Sequence, residues 1–353
     1  MNLEINIFIR NNPDWDDKLA GPPYFVKTKH DGGFVLLKYD QIRSDMTLSL
    51  VRECRGIILD SDDDFRPVCV PFFKFGNFGE SYVPEIDWKT ARVQEKIDGS
   101  IMKLWHYKGE WHISSNSEIN ACNAYINSAL LTNSPISNLY NLFMEAWDKT
   151  GVSMENLDKG CTYMFELTSP HNRVVVKYDE VSIRHIGTRN NQTLLESEID
   201  IGIPKPKTFP LKSLNECIES AKQLGYDDEG YVIVDKHFNR IKVKSPLYVA
   251  LNHLVQGVTT QENIVDIIKK NEQGEFLTYF PEFEKVFNDI LHRIEAFSAR
   301  QDLALSGLMA MSFDSRKALA EAVTKTDCPA CLFALFDKKE SNHQAQYRHH
   351  VQR

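Results

Sequence analysis

A lysine stands two residues before an Asp-Gly pair in the segment Glu95-Lys96-Ile97-Asp98-Gly99-Ser100. An amine attacks an electrophile only in its neutral form, and an ordinary lysine, with a pKa of about 10.4, is almost wholly protonated at neutral pH. Burial and neighbouring cations lower that value, and a lysine so placed becomes a nucleophile. Cations of the right kind lie downstream in Arg240-Ile241-Lys242-Val243-Lys244-Ser245. Lys242 and Lys244 are separated by one residue, so on a strand both point to the same face and reach one anionic group together. Each feature has a plainer reading beside this one. Lys96 suits an Asp-Gly hairpin turn, and the lysine pair suits the solvated face of an edge strand.

The carboxylates fall between these cations. Glu166 interrupts the apolar run Tyr163-Met164-Phe165-Glu166-Leu167, which is costly unless it lies on an open face. Asp228-Glu229-Gly230 precedes the hydrophobic Tyr231-Val232-Ile233 and is by itself an ordinary acidic turn. Two further segments stand upstream: Arg52-Glu53-Cys54-Arg55-Gly56-Ile57-Ile58, and Pro71-Phe72-Phe73-Lys74-Phe75-Gly76-Asn77-Phe78. Each is a weak signal alone. Together they are strong, because independent chance matches would have to multiply.

In this order the segments resemble the covalent nucleotidyltransferases, the superfamily of ATP-dependent polynucleotide ligases and mRNA capping enzymes. The resemblance spans roughly residues 50–250 and is nearest to the RNA ligase 1 type of phage T4. It is carried by Glu53-Cys54-Arg55-Gly56, Lys74-Phe75-x-Asn77, Asn172-Arg173 before Val174 and Val175, and Lys242-x-Lys244-Ser245. The resemblance implies that Lys96 attacks the α-phosphorus of ATP to give a lysyl-AMP, with Lys242 and Lys244 neutralising the developing charge. It implies a nucleotide pocket built from Arg55, Lys74, Phe75, the backbone at Glu95, Lys96, Gly99, Glu166, Glu229, Lys242 and Lys244. It also implies a Mg²⁺ ion, with Mn²⁺ as an alternative, near Asp98, Glu166 and Glu229; Asp228 either joins that set or faces solvent. The implied partner is RNA with 5′-phosphate and 3′-hydroxyl ends, a nicked tRNA anticodon loop being the case the resemblance suggests.

The chain also departs from these families. Ile101 stands where many DNA ligases and capping enzymes carry Arg, and Ile113-Ser114-Ser115-Asn116-Ser117-Glu118 holds none of the lysines of the T4 type. Hydroxyl and amide groups must do that work or it is not done. No Gly-x-x-x-x-Gly-Lys-[Ser/Thr] phosphate loop occurs, so healing of damaged ends is expected from a separate kinase and phosphatase.

The elements that position these residues follow from pattern. Gly56–Leu59, Thr162–Leu167, Arg173–Tyr178, Val181–Ile186 and Gly230–Val234 are short, β-branched or aromatic, and bounded by turn residues, which predicts strands. Helical patches are expected over Asn123–Asp148 and over Leu214–Gly225, the latter capped by Ser213. Beyond about Ser245 helical spacing takes over. Ile264, Ile267 and Ile268 share one face, and Phe283, Val286, Phe287, Ile290, Leu291 and Ile294 follow at spacings of three and four. Ser312–Val323 and Cys331–Phe336 suggest two more helices. The expected fold class is α+β: an antiparallel-sheet-rich nucleotidyltransferase domain over residues 1–248, then an all-α domain over 249–353 that helps choose the RNA.

With 353 residues, 42% hydrophobic and 25% charged, the chain can bury a sizeable core, which excludes wholesale disorder. Its net charge of −8 confines any nucleic-acid site to a local basic patch. Seven scattered cysteines read as reduced thiols. With no membrane span and no secretory signal expected, the reading is cytoplasmic, or host-cytoplasmic for a viral chain. Cys328 and Cys331 lack a partner pair at zinc-finger spacing and read as a helix start. The polar tail Gln344–Arg353 reads as frayed. A capping guanylyltransferase or DNA ligase would add a five-stranded OB-fold after the Lys-x-Lys strand. A non-catalytic RNA-binding module on the same fold would lack one of the essential charges. Both stand as alternatives.

Overall fold

The computed structural model describes residues 3–126, 138–225, 227–255, 261–269, 277, 284–310, 316–324, 326 and 328–336. The chain forms two compact units, Met1–Val249 and Ala250–Arg353.

Three antiparallel sheets carry the first unit. Strands β1 (Val26–Asp31), β2 (Phe34–Tyr39), β3 (Arg55–Asp60) and β4 (Arg66–Cys69) pair in chain order as a meander. Strand β5 (Arg92–Glu95) leads into the Lys96 turn and β6 (Ser100–Tyr107) leaves it. With β7 (Glu110–Ser115), β8 (Cys161–Thr168), β9 (Ser182–Asn190) and β10 (Glu196–Ser197), β6 builds a five-stranded sheet of order β10-β9-β8-β6-β7. β11 (Thr208–Phe209), β12 (Gly230–Val234) and β13 (Arg240–Lys244) join β5 in the third sheet, of order β11-β5-β12-β13. The Lys96–Gly99 turn therefore crosses from one sheet to another.

Each sheet buries one face under helices. α1 (Glu4–Asn11), α2 (Trp15–Ala20) and α3 (Ser49–Glu53) share a core with the first sheet through Ile5, Ile9, Leu19, Val51, Ile57 and Leu59. α4 (Leu139–Asp148) packs Leu142, Phe143 and Trp147 on the second sheet. Its N-cap Asn138 accepts a hydrogen bond from the Asn141 amide at 2.9 Å. α5 (Leu214–Ala221) covers the third sheet, capped by Ser213, whose Oγ accepts from the Glu216 amide at 3.2 Å. α6 (Pro246–Val255) follows β13. β8, the middle strand of its sheet, is buried on both faces except at Glu166, so it reads as a continuous apolar run and not an alternating one.

In the second unit every described element is a helix: α7 (Gln261–Lys269), α8 (Glu284–Met309), α9 (Arg316–Val323) and α10 (Pro329–Phe336). Ile264, Ile267 and Ile268 are buried with Phe287 and Ile290, whereas Val286 is exposed. The α+β class, sheets first and helices after, is the observed one. The expected strand Arg173–Tyr178 is not formed. The Val175 and Val176 amides, which a strand would give to a neighbour, donate to Asp98 Oδ2 at 2.8 and 2.7 Å. Of the expected Asn123–Asp148 helix, α4 is its last part, and residues 127–137 lie outside the described residues, as do Phe283, residues 311–315 and the tail. The side chain of Cys331 lies outside them too; Cys54, Cys69, Cys122, Cys161 and Cys217 are free thiols.

Candidate active site

The segments that stand out in the sequence converge on one cavity of about 230 Å³ in the first unit, between the second and third sheets. Arg55, Phe75, Glu95, Lys96, Gly99, Glu166 and Lys242 all line it. Backbone pairing explains the convergence. β5 runs beside β12, and the Lys96 amide donates to the Gly230 carbonyl at 2.8 Å. This sets Lys96 against Glu229, with Nζ 2.5 Å from Oε2. β13 pairs with β12 and carries Lys244 to the other oxygen of the same carboxylate, at 3.8 Å. Glu229 is only 5% exposed and so bridges two ammonium groups. Lys96 is ion-paired here, and an amine in such a pair is a nucleophile only once it has given up a proton.

The Gly76–Phe78 segment is held along β13: the Lys242 amide donates to Gly76 O at 3.0 Å and the Phe78 amide to Lys242 O at 2.7 Å. The Phe75 ring is thereby fixed on the cavity wall, with the Lys242 ammonium 5.2 Å and the Arg55 guanidinium 5.4 Å from its centroid. Such cation–π contacts are worth about 0.5–2 kcal/mol. Burial pushes the Lys242 pKa well down, and Lys74, Lys96, Arg55 and Lys244 push it the same way. The cations named in the sequence are thus one electrostatic cluster. Lys74 stands behind the wall instead of on it. Its amide donates to Arg52 O at 2.8 Å and its ammonium lies 5.5 Å from the Tyr39 ring centroid. Gly99 permits a close approach, since a Cβ there would meet Leu167 O at 2.4 Å.

Two groups on the wall are unsatisfied. Arg55 Nη1 is buried with no hydrogen-bond partner. Glu166 faces Ile101 across β6 and β8, and among the described residues no hydrogen bond or ion pair holds its carboxylate. Burial lifts its pKa to about 7, opposed by Lys96 and aided by Glu229. A buried unpaired donor and a half-buried unpaired carboxylate on one cavity mark a ligand site.

The expected carboxylate trio does not assemble. Asp98 is buried and turned into the protein. Besides the two backbone donors, its Oδ1 accepts from Tyr248 Oη at 2.7 Å, so it organises the turn and is not a ligand facing the cavity. Glu229 is occupied by lysines, and Asp228 is exposed. Among the described residues no three Asp, Glu, His or Cys side chains are placed to hold a metal ion. Glu166 remains as the open oxygen donor. Mg²⁺ usually keeps several waters and takes one or two carboxylates besides substrate phosphates, and a single free carboxylate fits that habit.

The chain is similar to viral and phage RNA ligases. It is 30% identical over 304 residues to a protein of Autographa californica nuclear polyhedrosis virus named "Putative bifunctional polynucleotide kinase/RNA ligase", covering 80% of this chain and 42% of that one. It is 25% identical over 340 residues to an RNA ligase of Rhodothermus phage RM378, covering 77% of each. The chain thus spans less than half the length of the first relative. No protein-family model matches it. Among solved structures, an archaeal ATP-dependent RNA ligase aligns over 92% of this chain and 89% of its own with 12% identity and a TM-score of 0.47.

The sequence pattern did not single out several residues of the site. Ile186 and Val232 are apolar lining residues of the cavity. Val232 is the half-exposed member of an otherwise buried strand, whereas Ile186 lies in a strand of mixed burial, so neither is marked by alternation until the buried face is known. Arg240 also lines the cavity, 4.1 Å from the Phe72 ring centroid and paired with buried Glu196 at 2.6 Å. Tyr248 stands 150 residues from the carboxylate it bonds, and no local pattern announces it.

Proposed function

We propose that this chain is an ATP-dependent RNA ligase. Lys96 attacks the α-phosphorus of ATP, forming an Nζ–P bond and releasing pyrophosphate. AMP then passes from the lysine to the 5′-phosphate of an RNA end. A 3′-hydroxyl attacks that activated phosphate, closing the phosphodiester and releasing AMP. Each step is an in-line displacement at phosphorus, where positioning and charge neutralisation dominate. Lys242, Lys244 and Arg55 supply the positive charge. The base enters between Ile186 and Val232, beside the Glu95 backbone. A divalent ion, Mg²⁺ or Mn²⁺, held through Glu166, supplies Lewis-acid neutralisation of the phosphates.

The observation that carries this reading is the Lys96–Glu229–Lys244 cluster on a cavity that also holds Lys242, Arg55 and an unpaired Glu166. The relatives named RNA ligase support it. An all-helical second unit, which gives no OB-fold strands among the described residues, favours it over a capping enzyme. That unit is assigned the choice of RNA, with a nicked tRNA as the candidate substrate. End healing falls to a separate kinase and phosphatase. No helix among the described residues is long and apolar enough to cross a membrane, and the site of action is assigned to the cytoplasm.

The test is intact mass after incubation with ATP and Mg²⁺, beside GTP, NAD⁺ and a Lys96→Ala control. One added AMP, absent from the variant, is expected. Added GMP would turn the assignment to capping. No adduct on nucleotide-free protein would favour a binding module. A Lys96→Ala chain that still takes AMP would remove the lysine from the mechanism.

A further inference from the structure

Lys103 lies on β6 and is completely buried. A buried ammonium is expensive unless a carboxylate pairs with it, and a methionine of similar volume would be cheaper. Among the described residues no carboxylate pairs with Lys103. Its Nζ donates to the carbonyl oxygen of Gly56, the residue that follows Arg55. Gly56 has φ +78°, and a Cβ there would stand 3.0 Å from Lys103 Nζ and 2.8 Å from both Asn116 oxygens. The ammonium and the segment after β7 thus close on Gly56 itself, and only glycine fits between them. Three groups face the ammonium from the neighbouring strands: Arg55 on β3, Lys38 on β2 and Cys69 on β4. Burial above all, opposed by Cys69 and aided by Arg55 and Lys38, brings the Lys103 pKa down to about 8.

Arg55 is therefore held from behind in two ways. The next peptide is tethered to Lys103, and the two cations repel. On its other side the guanidinium lies against Phe75 at the cavity wall, with Nη1 unsatisfied. We propose that Lys103 is a positioning residue of the nucleotide site, acting through the Gly56–Ile57 peptide, the next along β3 from Arg55, to hold the free donor of Arg55 toward the anionic ligand. This rests on the nucleotide-binding part of the function proposed above. It also gives a cationic role to β6, the strand beside the lysine-free Ile113–Glu118 segment.

ATP affinity by calorimetry tests this on full-length protein carrying Lys96→Ala, so that no chemistry follows binding. Lys103→Met should weaken ATP binding about tenfold, and it should weaken it no further when Arg55→Ala is already present. Its melting temperature should stay level or rise, because a buried charge is removed; a residue that merely propped the fold would lower it. An unchanged Kd, or the same tenfold loss on top of Arg55→Ala, would overturn the proposal. Should Lys103→Met fail to fold, the parent protein decides. Its ATP affinity should fall as Lys103 loses its proton through about pH 8, and this fall should vanish in Arg55→Ala; identical pH profiles would overturn the proposal. ATP binding by the parent with no AMP adduct on wild-type protein refutes the ligase reading alone. No ATP binding at all refutes both.

Discussion

Asp98 offers the sharpest separation of two roles for one carboxylate. A metal ligand would face the cavity and contribute little to folding. The observed Asp98 is 5% exposed and accepts three hydrogen bonds, from the Val175 and Val176 amides and from Tyr248 Oη. Asp98→Ala leaves two amides without their acceptor in a buried place, at about 1–3 kcal/mol each, and frees a phenol that has some room to turn. The expected loss is about 3–5 kcal/mol, which in a unit of this size lowers the melting temperature by roughly 6–20 °C. Tyr248→Phe removes one of the three bonds and should lose about 1–2 kcal/mol. Circular dichroism melts of the three proteins give these values. Adenylylation titrated with Mg²⁺ at a temperature where all are folded gives the other half: the Mg²⁺ midpoint should not move. A variant that melts with the wild type yet needs tenfold more Mg²⁺ would refute the reasoning and return Asp98 to the metal.

Glu166 has a folded pKa raised to about 7, so its ionisation opposes folding; the stability present below the unfolded value, about 4.3, is lost as pH rises through 7. Glu166→Gln should therefore stabilise the apoprotein by about 3 kcal/mol near pH 8 and about 1 kcal/mol near pH 5, while abolishing its stabilisation by Mg²⁺-ATP. Equal shifts at the two pH values in thermal melts would show that packing, not charge, is responsible. Gly99→Ala puts a Cβ 2.4 Å from Leu167 O, so β6 must move relative to β8 beside Glu166. AMP adduct formation should slow by about tenfold or more, read by mass spectrometry over time, and a normal rate would show that the strand ends yield freely.

The chemistry-bearing segments were legible because each is local. A Lys before Asp-Gly, two lysines at spacing two and an acid within an apolar strand are visible at single positions, and strand pairing does bring them to one cavity. What holds them there was not legible. The strand expected at Arg173–Tyr178 has the right residues for one, but its amides serve Asp98, a carboxylate 77 and 78 residues away. Tertiary hydrogen bonding outweighed propensity there. Lys103 reads as an ordinary polar residue alternating with apolar neighbours on β6, yet it is buried. Only its contact with the Gly56 carbonyl explains how a charge is tolerated there.

The Lys96 turn shows why the distant contacts matter. Its start is held by the Lys96 amide on Gly230 O, its middle by the three bonds to Asp98, and its end by Ser100 Oγ, which accepts from Asn172 Nδ2 at 2.7 Å. These bonds tie the turn to β12, to the loop before β9 and to the start of α6. Three parts of the chain far apart in sequence thus fix the backbone under a long, flexible side chain. A nucleophile reacts well when its backbone is rigid and only its tip must find the reacting atom. The turn supplies that rigidity to the proposed nucleophile, and Glu229 holds its tip, with Nζ 2.5 Å from Oε2. The opposed charges left open on the wall, Arg55 Nη1 and the Glu166 carboxylate, fit a ligand that brings both signs itself, as a polyphosphate carrying a divalent cation does.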